Sequence, residues 1–155
     1  MLITADIAFE SPMNETLFAY WRGRAGAKSI PARGDIDPIV DLGHLVQHLF
    51  LVDVERHPLR FRFRLVGTEV VNHVGKDMTG KYLDELVEYD AQYARVKPDY
   101  ETTAKTGTAT VSPVRFLTKD AKHYINYERL LLPLSEDGRE VNMILGSCSP
   151  LDDKT

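Results

Sequence analysis

The sequence predicts an α+β domain built around a five-stranded antiparallel sheet. Three observations predict it. The run Arg60–Val66 (RFRFRLV) alternates strictly between basic and apolar residues, which is the two-residue period of a strand with one covered face. The last third of the chain holds three further runs of strand formers, two of them joined across an Asp137-Gly138 pair of the kind that closes hairpins. Between these two groups, from Gly67 to Gly107, the residues read as helix. Strands and helices segregated in this way define the α+β class.

The elements follow in order. Residues 1–13 are expected to be loosely ordered, with one domain over 14–150. Asn14 is placed to cap a first helix, on which Leu17, Phe18, Trp21 and Ala25 recur at helical spacing and which Gly26 ends. Ser29–Asp37 reads as an ordered loop. Asp37 followed by Pro38 starts a second short helix, with Val40, Leu45, Val46 and Leu49 as its buried stripe. His48–Glu55 and Arg60–Val66 form a hairpin in which Phe61, Phe63 and Leu65 share the covered face. Gly67–Gly75 and Tyr82–Glu88 are short helices. Asp90–Gly107 is the longest helical stretch, with Tyr89, Tyr93, Val96, Tyr100 and Thr103 as its stripe and Pro98 kinking or splitting it. The final strands are Ala109–Thr118, His123–Leu134 and Val141–Ser149, with turns at Lys119–Lys122 and Ser135–Arg139.

Composition narrows the functional classes. A chain of 155 residues fits one domain, long enough for a core without staples. The net charge of −4 argues against a nucleic-acid binder, which needs a basic footprint. The single cysteine, Cys148, excludes an intrachain disulfide and reads as a small buried residue near a strand end. The N-terminal residues lack a basic region and an apolar run, and no apolar run is long enough to span a bilayer; a cytoplasmic location without membrane contact is expected.

The order of elements resembles the PAS fold. The sequence also resembles a PAS-like family common in alphaproteobacteria, through Tyr20-Trp21, Pro31, Arg33, Asp35, Asp37-Pro38, Leu49-Phe50-Leu51 and Asp53. The likeness continues with Phe63-Arg64-Leu65-Val66-Gly67-Thr68, Gly75, Asp77, Thr79-Gly80, Tyr127, Arg129, Leu132 and Pro133-Leu134. It runs over residues 17–148. The resemblance implies a sheet of strand order 2-1-5-4-3 with helices over one face, and an N-terminal helix that packs across the other and helps form dimers. It brings no assigned catalytic residues. Some PAS proteins hold haem through a histidine on the long helix, which has none here. A flavin-adduct cysteine would belong among the middle helices, where none occurs. Haem and flavin are therefore disfavoured, and no cofactor is predicted.

Several side-chain groups are candidates for chemistry. His73, Tyr93, Tyr100, Tyr127 and Arg129 are the candidate ligand pocket. Tyrosine offers apolar area with one hydroxyl, and parity on the fourth strand groups Tyr127 with Ile125, Arg129 and Leu131. The plainer reading of the tyrosines is core packing. Arg60, Arg62 and Arg64 form a row that Arg115 and Arg129 extend, either to bind an anion or to pair with acids such as Glu10 or Glu15. His44 and His48, four apart, lack the further ligands a zinc site needs, and Asp35 with Asp37 lacks those of a calcium loop; no metal is predicted. Leu17, Phe18, Tyr20 and Trp21 make the first helix aromatic enough to suggest a homodimer interface.

No nucleophile elbow, phosphate loop, dinucleotide fingerprint or zinc-protease motif is present. The leading expectation is a sensory domain that binds a small organic ligand and signals to a separate partner protein. The alternatives are a ligand-free interaction module, and a small enzyme using His73, Asp77 or Tyr127 as acid or base.

Overall fold

Strand-forming side chains cover both faces of one sheet, and this decides the architecture. The structure, a computed structural model, describes residues 2–3, 7–117 and 123–151. The strands are β1 (Leu2–Ile3), β2 (Leu49–Glu55), β3 (Arg60–Val66), β4 (Thr110–Leu117), β5 (Tyr124–Leu134) and β6 (Met143–Pro150). They form one antiparallel sheet of order β1-β4-β5-β6-β2-β3. The five longer strands, numbered along the chain, thus run 2-1-5-4-3, as expected, and β1 adds a short sixth strand through Leu2↔Val111 and Ile3↔Thr110. The helices are α1 (Pro12–Ala25), α2 (Pro38–Asp41), α3 (Thr68–Val74), α4 (Leu83–Tyr89) and α5 (Lys97–Thr106), with 3-10 turns at Arg33–Asp35, Gly43–His48 and Ala91–Arg95.

Two apolar layers result. On one face Phe50, Val52, Phe61, Phe63, Leu131 and Ile144 pack under α3, α4 and α5. On the other Leu49, Leu51, Leu130, Leu132, Leu134 and Leu145 pack under Leu17 and Trp21 of α1. The run Leu130–Leu132 is fully buried because its strand is covered on both sides. Each such leucine contributes roughly 2 kcal/mol.

Local rules account for most boundaries, and several depart from expectation. The first helix begins at Pro12 rather than Asn14. Ser11 is its cap, accepting from the Asn14 N–H at 3.1 Å, and Pro12 fills a first-turn position where its missing donor costs nothing. The segment before residue 14 is accordingly structured where it is described. Asp37 does cap α2, but that helix is one turn long, and Val40 is 76% exposed while Leu42 and Leu45 are buried. Pro98 splits the long helical stretch: Ala91–Arg95 is a 3-10 turn capped by Asp90, and α5 starts at Lys97. Leu65 lies 54% exposed, because the β2–β3 register shifts between Leu51 and Val52 and brings Val66, not Leu65, to the covered face. The expected turn Lys119–Lys122 lies outside the described residues. Gly138 of the second turn has φ +77, the left-handed region its hairpin demands.

Two glycines permit close approach. A Cβ at Gly67 would fall 2.3 Å from the Gln47 carbonyl oxygen, where the chain passes from β3 into α3. One at Gly146 would fall 2.1 Å from Cζ of the Phe50 ring.

Candidate functional site

The candidate site lies between the sheet and α3–α5. β2 and β3 send Phe50 and Phe63 into this space, β4 sends Phe116, β5 sends Tyr127 and Arg129, and β6 sends Cys148. The helical segment supplies Val70 and Val74 from α3, Met78 after it, Tyr93 and Val96 from the 3-10 turn and its end, and Tyr100 from α5. These side chains surround a cavity of about 30 Å³, room for about one water molecule. The rings interlock in tilted and edge-on contacts. Tyr100 sits 6.3 Å from Phe63 at 70°, and Tyr93 sits 5.5 Å from Phe116 at 65°. The Tyr93 hydroxyl donates to the Met78 sulfur at 3.6 Å.

One charged pair is built into this shell. Arg129 Nη2 donates to Asp99 Oδ2, and the Ser112 hydroxyl donates to the same oxygen at 2.8 Å. The two side chains are 4% and 15% exposed. The guanidinium carbon also stands 5.5 Å from the Tyr100 ring centre. Among the described residues no acceptor reaches Arg129 Nε, which is buried. Burial pushes the hydroxyls of Tyr93, Tyr100 and Tyr127 upward in pKa, so all three stay neutral donors. Burial likewise pushes the Cys148 thiol up to about 12, against a lowering by Arg129. A surface cleft of about 180 Å³, lined by Gln92, Arg95, Asp99, Ser112 and Arg115, shares Val96, Phe116 and Arg129 with the cavity. A wider cleft of about 740 Å³ lies at the sheet's end between Glu10, Pro113, Arg115, Asn126 and Pro150; it shares Tyr127 with the cavity, and neither Asp99 nor Arg129 lines it.

The structure brings Tyr93, Tyr100, Tyr127 and Arg129 together, as their parity and spacing predict. His73 is half-buried on α3 and does not line the cavity; Val70 and Val74 of that helix do. Asp99, Ser112, Met78 and Cys148 are site residues that periodicity did not single out. Asp77 is exposed and holds Thr79 through its backbone N–H at 3.0 Å and hydroxyl at 2.7 Å. Arg129 does not extend the β3 arginine row, since it occupies the opposite face of the sheet. In that row Arg60 makes a two-pronged pair with Asp84 at 2.7 and 2.9 Å and covers the Tyr82 ring, and Arg64 pairs with Asp53 at 3.0 Å. Neither Glu10 nor Glu15 is a partner of those arginines. Leu17 and Trp21 are buried against the sheet of their own chain, whereas Phe18 and Tyr20 are half-buried. His44 and His48 fall in a 3-10 turn, whose three-residue period separates them. No metal-holding cluster of three His, Cys, Asp or Glu occurs among the described residues.

An antiparallel sheet of this strand order, with short helices folded over an aromatic interior, defines the PAS fold. The sequence agrees: residues 9–149 match the PAS domain family, and the chain belongs to it. Solved structures share the fold. The light-oxygen-voltage protein of Rhodobacter sphaeroides is 15% identical, over 90% of this chain and 69% of that one, with a TM-score of 0.53. A light-oxygen-voltage domain studied through a flavin analogue is 11% identical, over 77% and 87%, with a TM-score of 0.56. The Aureochrome1 light-oxygen-voltage domain in its dark state is 10% identical, over 76% and 85%, with a TM-score of 0.53. No curated protein matches by sequence.

These likenesses correct one expectation. Flavin was disfavoured because the only cysteine stands far from the middle helices in sequence. The similar folds are light-oxygen-voltage domains, one of them described through a flavin analogue, and Cys148 lines the interior although it lies on β6. In this conformation the cavity measures about 30 Å³, less than a flavin ring system occupies.

Proposed function

We propose that this PAS domain is a sensor that binds a small organic ligand in the interior between its sheet and α3–α5, and passes its state through α1 to a separate protein. One observation carries the reading: an aromatic shell that encloses a buried guanidinium and meets a surface cleft at Val96, Phe116 and Arg129. The domain acts by binding rather than by catalysis, since Asp77 is exposed, His73 stands off the cavity, and only Tyr127 of the three acid–base candidates lines it. The net charge of −4 favours a protein partner over nucleic acid. The ordered series from Tyr20-Trp21 to Pro133-Leu134 supports a place in the alphaproteobacterial PAS-like group.

Native mass spectrometry of freshly purified protein tests the binding reading. A retained small molecule, or a rise in melting temperature with a member of a metabolite panel, is expected. A bare mass together with no shift across the panel overturns it. The second reading, an interaction module without ligand, is favoured by the small volume of the cavity and by the exposed side chains of Ile39, Val40 and Leu65. A homodimer would use the outer side of α1, where Phe18 and Tyr20 remain half-exposed. Light scattering that reports a monomer at micromolar concentrations removes the dimer.

A further inference from the structure

Arg129 carries a buried N–H that no acceptor satisfies among the described residues. Its Nη2 is taken by Asp99, whose same oxygen accepts from Ser112 at 2.8 Å. Its Nε is buried with no acceptor in reach among the described residues. The side chain is 4% exposed, yet it lines both the cavity and the cleft. A charged donor left unpaired in the interior is unfavourable, and an oxygen delivered to it relieves the deficit.

Charge decides which kind of oxygen. Arg129 and Asp99 already neutralise one another. No second cation lines the cavity, whose other walls are aliphatic and aromatic side chains, Met78 and Cys148; Arg95 and Arg115 line only the cleft outside it. A carboxylate entering there brings an uncompensated negative charge into a medium of low dielectric constant. A carbonyl brings the same acceptor without the charge. Shape decides the rest of the molecule: the walls are ring faces and edges, whose centres stand 5.8 Å apart for Phe50 and Phe63 and 6.3 Å for Phe63 and Tyr100, so a flat ring fits by parting them.

Resting on the reading that the interior binds a ligand, we propose that its occupant is an uncharged aromatic carbonyl compound, an aryl ketone or aldehyde in class. Its oxygen accepts from Arg129 Nε and its ring lies among Phe50, Phe63, Tyr93 and Tyr100. The way in passes Val96 and Phe116, so the carbonyl meets Arg129 at the junction of cleft and cavity.

Calorimetric titration with three compounds of similar size tests this. Acetophenone carries the carbonyl, ethylbenzene lacks it, and benzoate replaces it with an anion. Acetophenone is expected to bind about tenfold more tightly than ethylbenzene, the value of one hydrogen bond to a charged donor. Arg129→Lys keeps a cation for Asp99 but puts a methylene where Nε stood. It is expected to erase that preference, so that acetophenone and ethylbenzene bind alike. If Arg129→Lys does not fold, the charge-free pair R129M/D99N carries the same expectation. Equal binding of acetophenone and ethylbenzene by the unaltered protein overturns the carbonyl assignment and leaves the interior site standing. Tighter binding of benzoate overturns the uncharged class. Failure of all three to bind overturns this inference, and the native mass decides separately on the reading beneath it.

Discussion

Arg129 and Asp99 form the most buried ion pair among the described residues. Each is tolerable in the interior because the other is there. Removing one partner from a buried pair leaves a lone charge and typically costs about 3–5 kcal/mol, whereas removing both leaves only a repacking problem. Asp99→Ala is therefore expected to lower urea-unfolding stability by about 3–5 kcal/mol. R129M/D99N is expected to recover most of that loss, and a double variant as unstable as the single one would show that the pair is not the cause. Asp137 presents the opposite case, an exposed carboxylate fixed by its backbone. It accepts from the N–H groups of Arg139 and Glu140 at 2.8 and 2.9 Å and from the Ser135 hydroxyl at 3.0 Å. These bonds, that from Glu140 first, lower its pKa to about 2. Because the folded value lies below the unfolded one near about 4, its contribution is complete above that value and is lost as pH falls through about 2. Carbon-detected NMR titration of Asp137 should give a midpoint near 2, and a midpoint at the ordinary carboxylate value would contradict the turn geometry.

Among the elements, α1 depends on a residue far away in sequence. Glu128 of β5 is 5% exposed and makes no ion pair among the described residues. Its carboxylate instead accepts from the N–H groups of Glu10 and Ser11 at 2.8 and 3.3 Å and from Asn14 Nδ2 at 3.0 Å. Asn14 and Ser11 in turn bond Ser147 and Ser149 of β6. A negative group at the start of a helix is favourable, and here it also fixes where α1 meets the sheet. Glu128→Ala is expected to cost about 3 kcal/mol and to speed hydrogen exchange at residues 10–14 while leaving β2 and β3 protected. Uniform loss of protection across the sheet would show that Glu128 supports the whole core rather than the helix start. This tie explains why the sequence misplaced the cap. Asn14 is a good capping residue by type, but its side chain serves Glu128, and only the tertiary fold reveals that. The strands were legible because alternation and turn chemistry are local. Parity likewise put Tyr127 and Arg129 on one face. Asp99, Ser112 and Cys148 were not legible, since nothing in their neighbourhoods marks the partners that β4, β5 and β6 bring to them.

At the scale of the whole molecule, the sheet is a partition with two separate apolar layers. The aromatic layer under α3–α5 holds the candidate site; the leucine-rich layer under α1 holds none of it. The two layers share the strands, so alternate residues of β5 read into opposite compartments: Tyr127, Arg129 and Leu131 into one, Glu128, Leu130 and Leu132 into the other. A change around Arg129 is thereby one residue from the carboxylate that seats α1. This adjacency gives a physical route for the proposed signal, since a two-state response needs an element that both ends can bias. It also fixes what happens when α1 is absent. Deleting residues 1–25 uncovers Leu49, Leu51, Leu130, Leu132, Leu134 and Leu145, a contiguous leucine surface larger than a monomer tolerates in water. The truncated chain is expected to associate, eluting as a dimer or larger species and binding a hydrophobic dye. The aromatic layer stays intact on the other face, so the truncated protein should keep whatever affinity for a small ligand the full chain has. A monomeric, dye-silent truncation would mean that α1 does not close the second layer. Loss of ligand binding along with monomeric behaviour would mean that the two compartments are not separate.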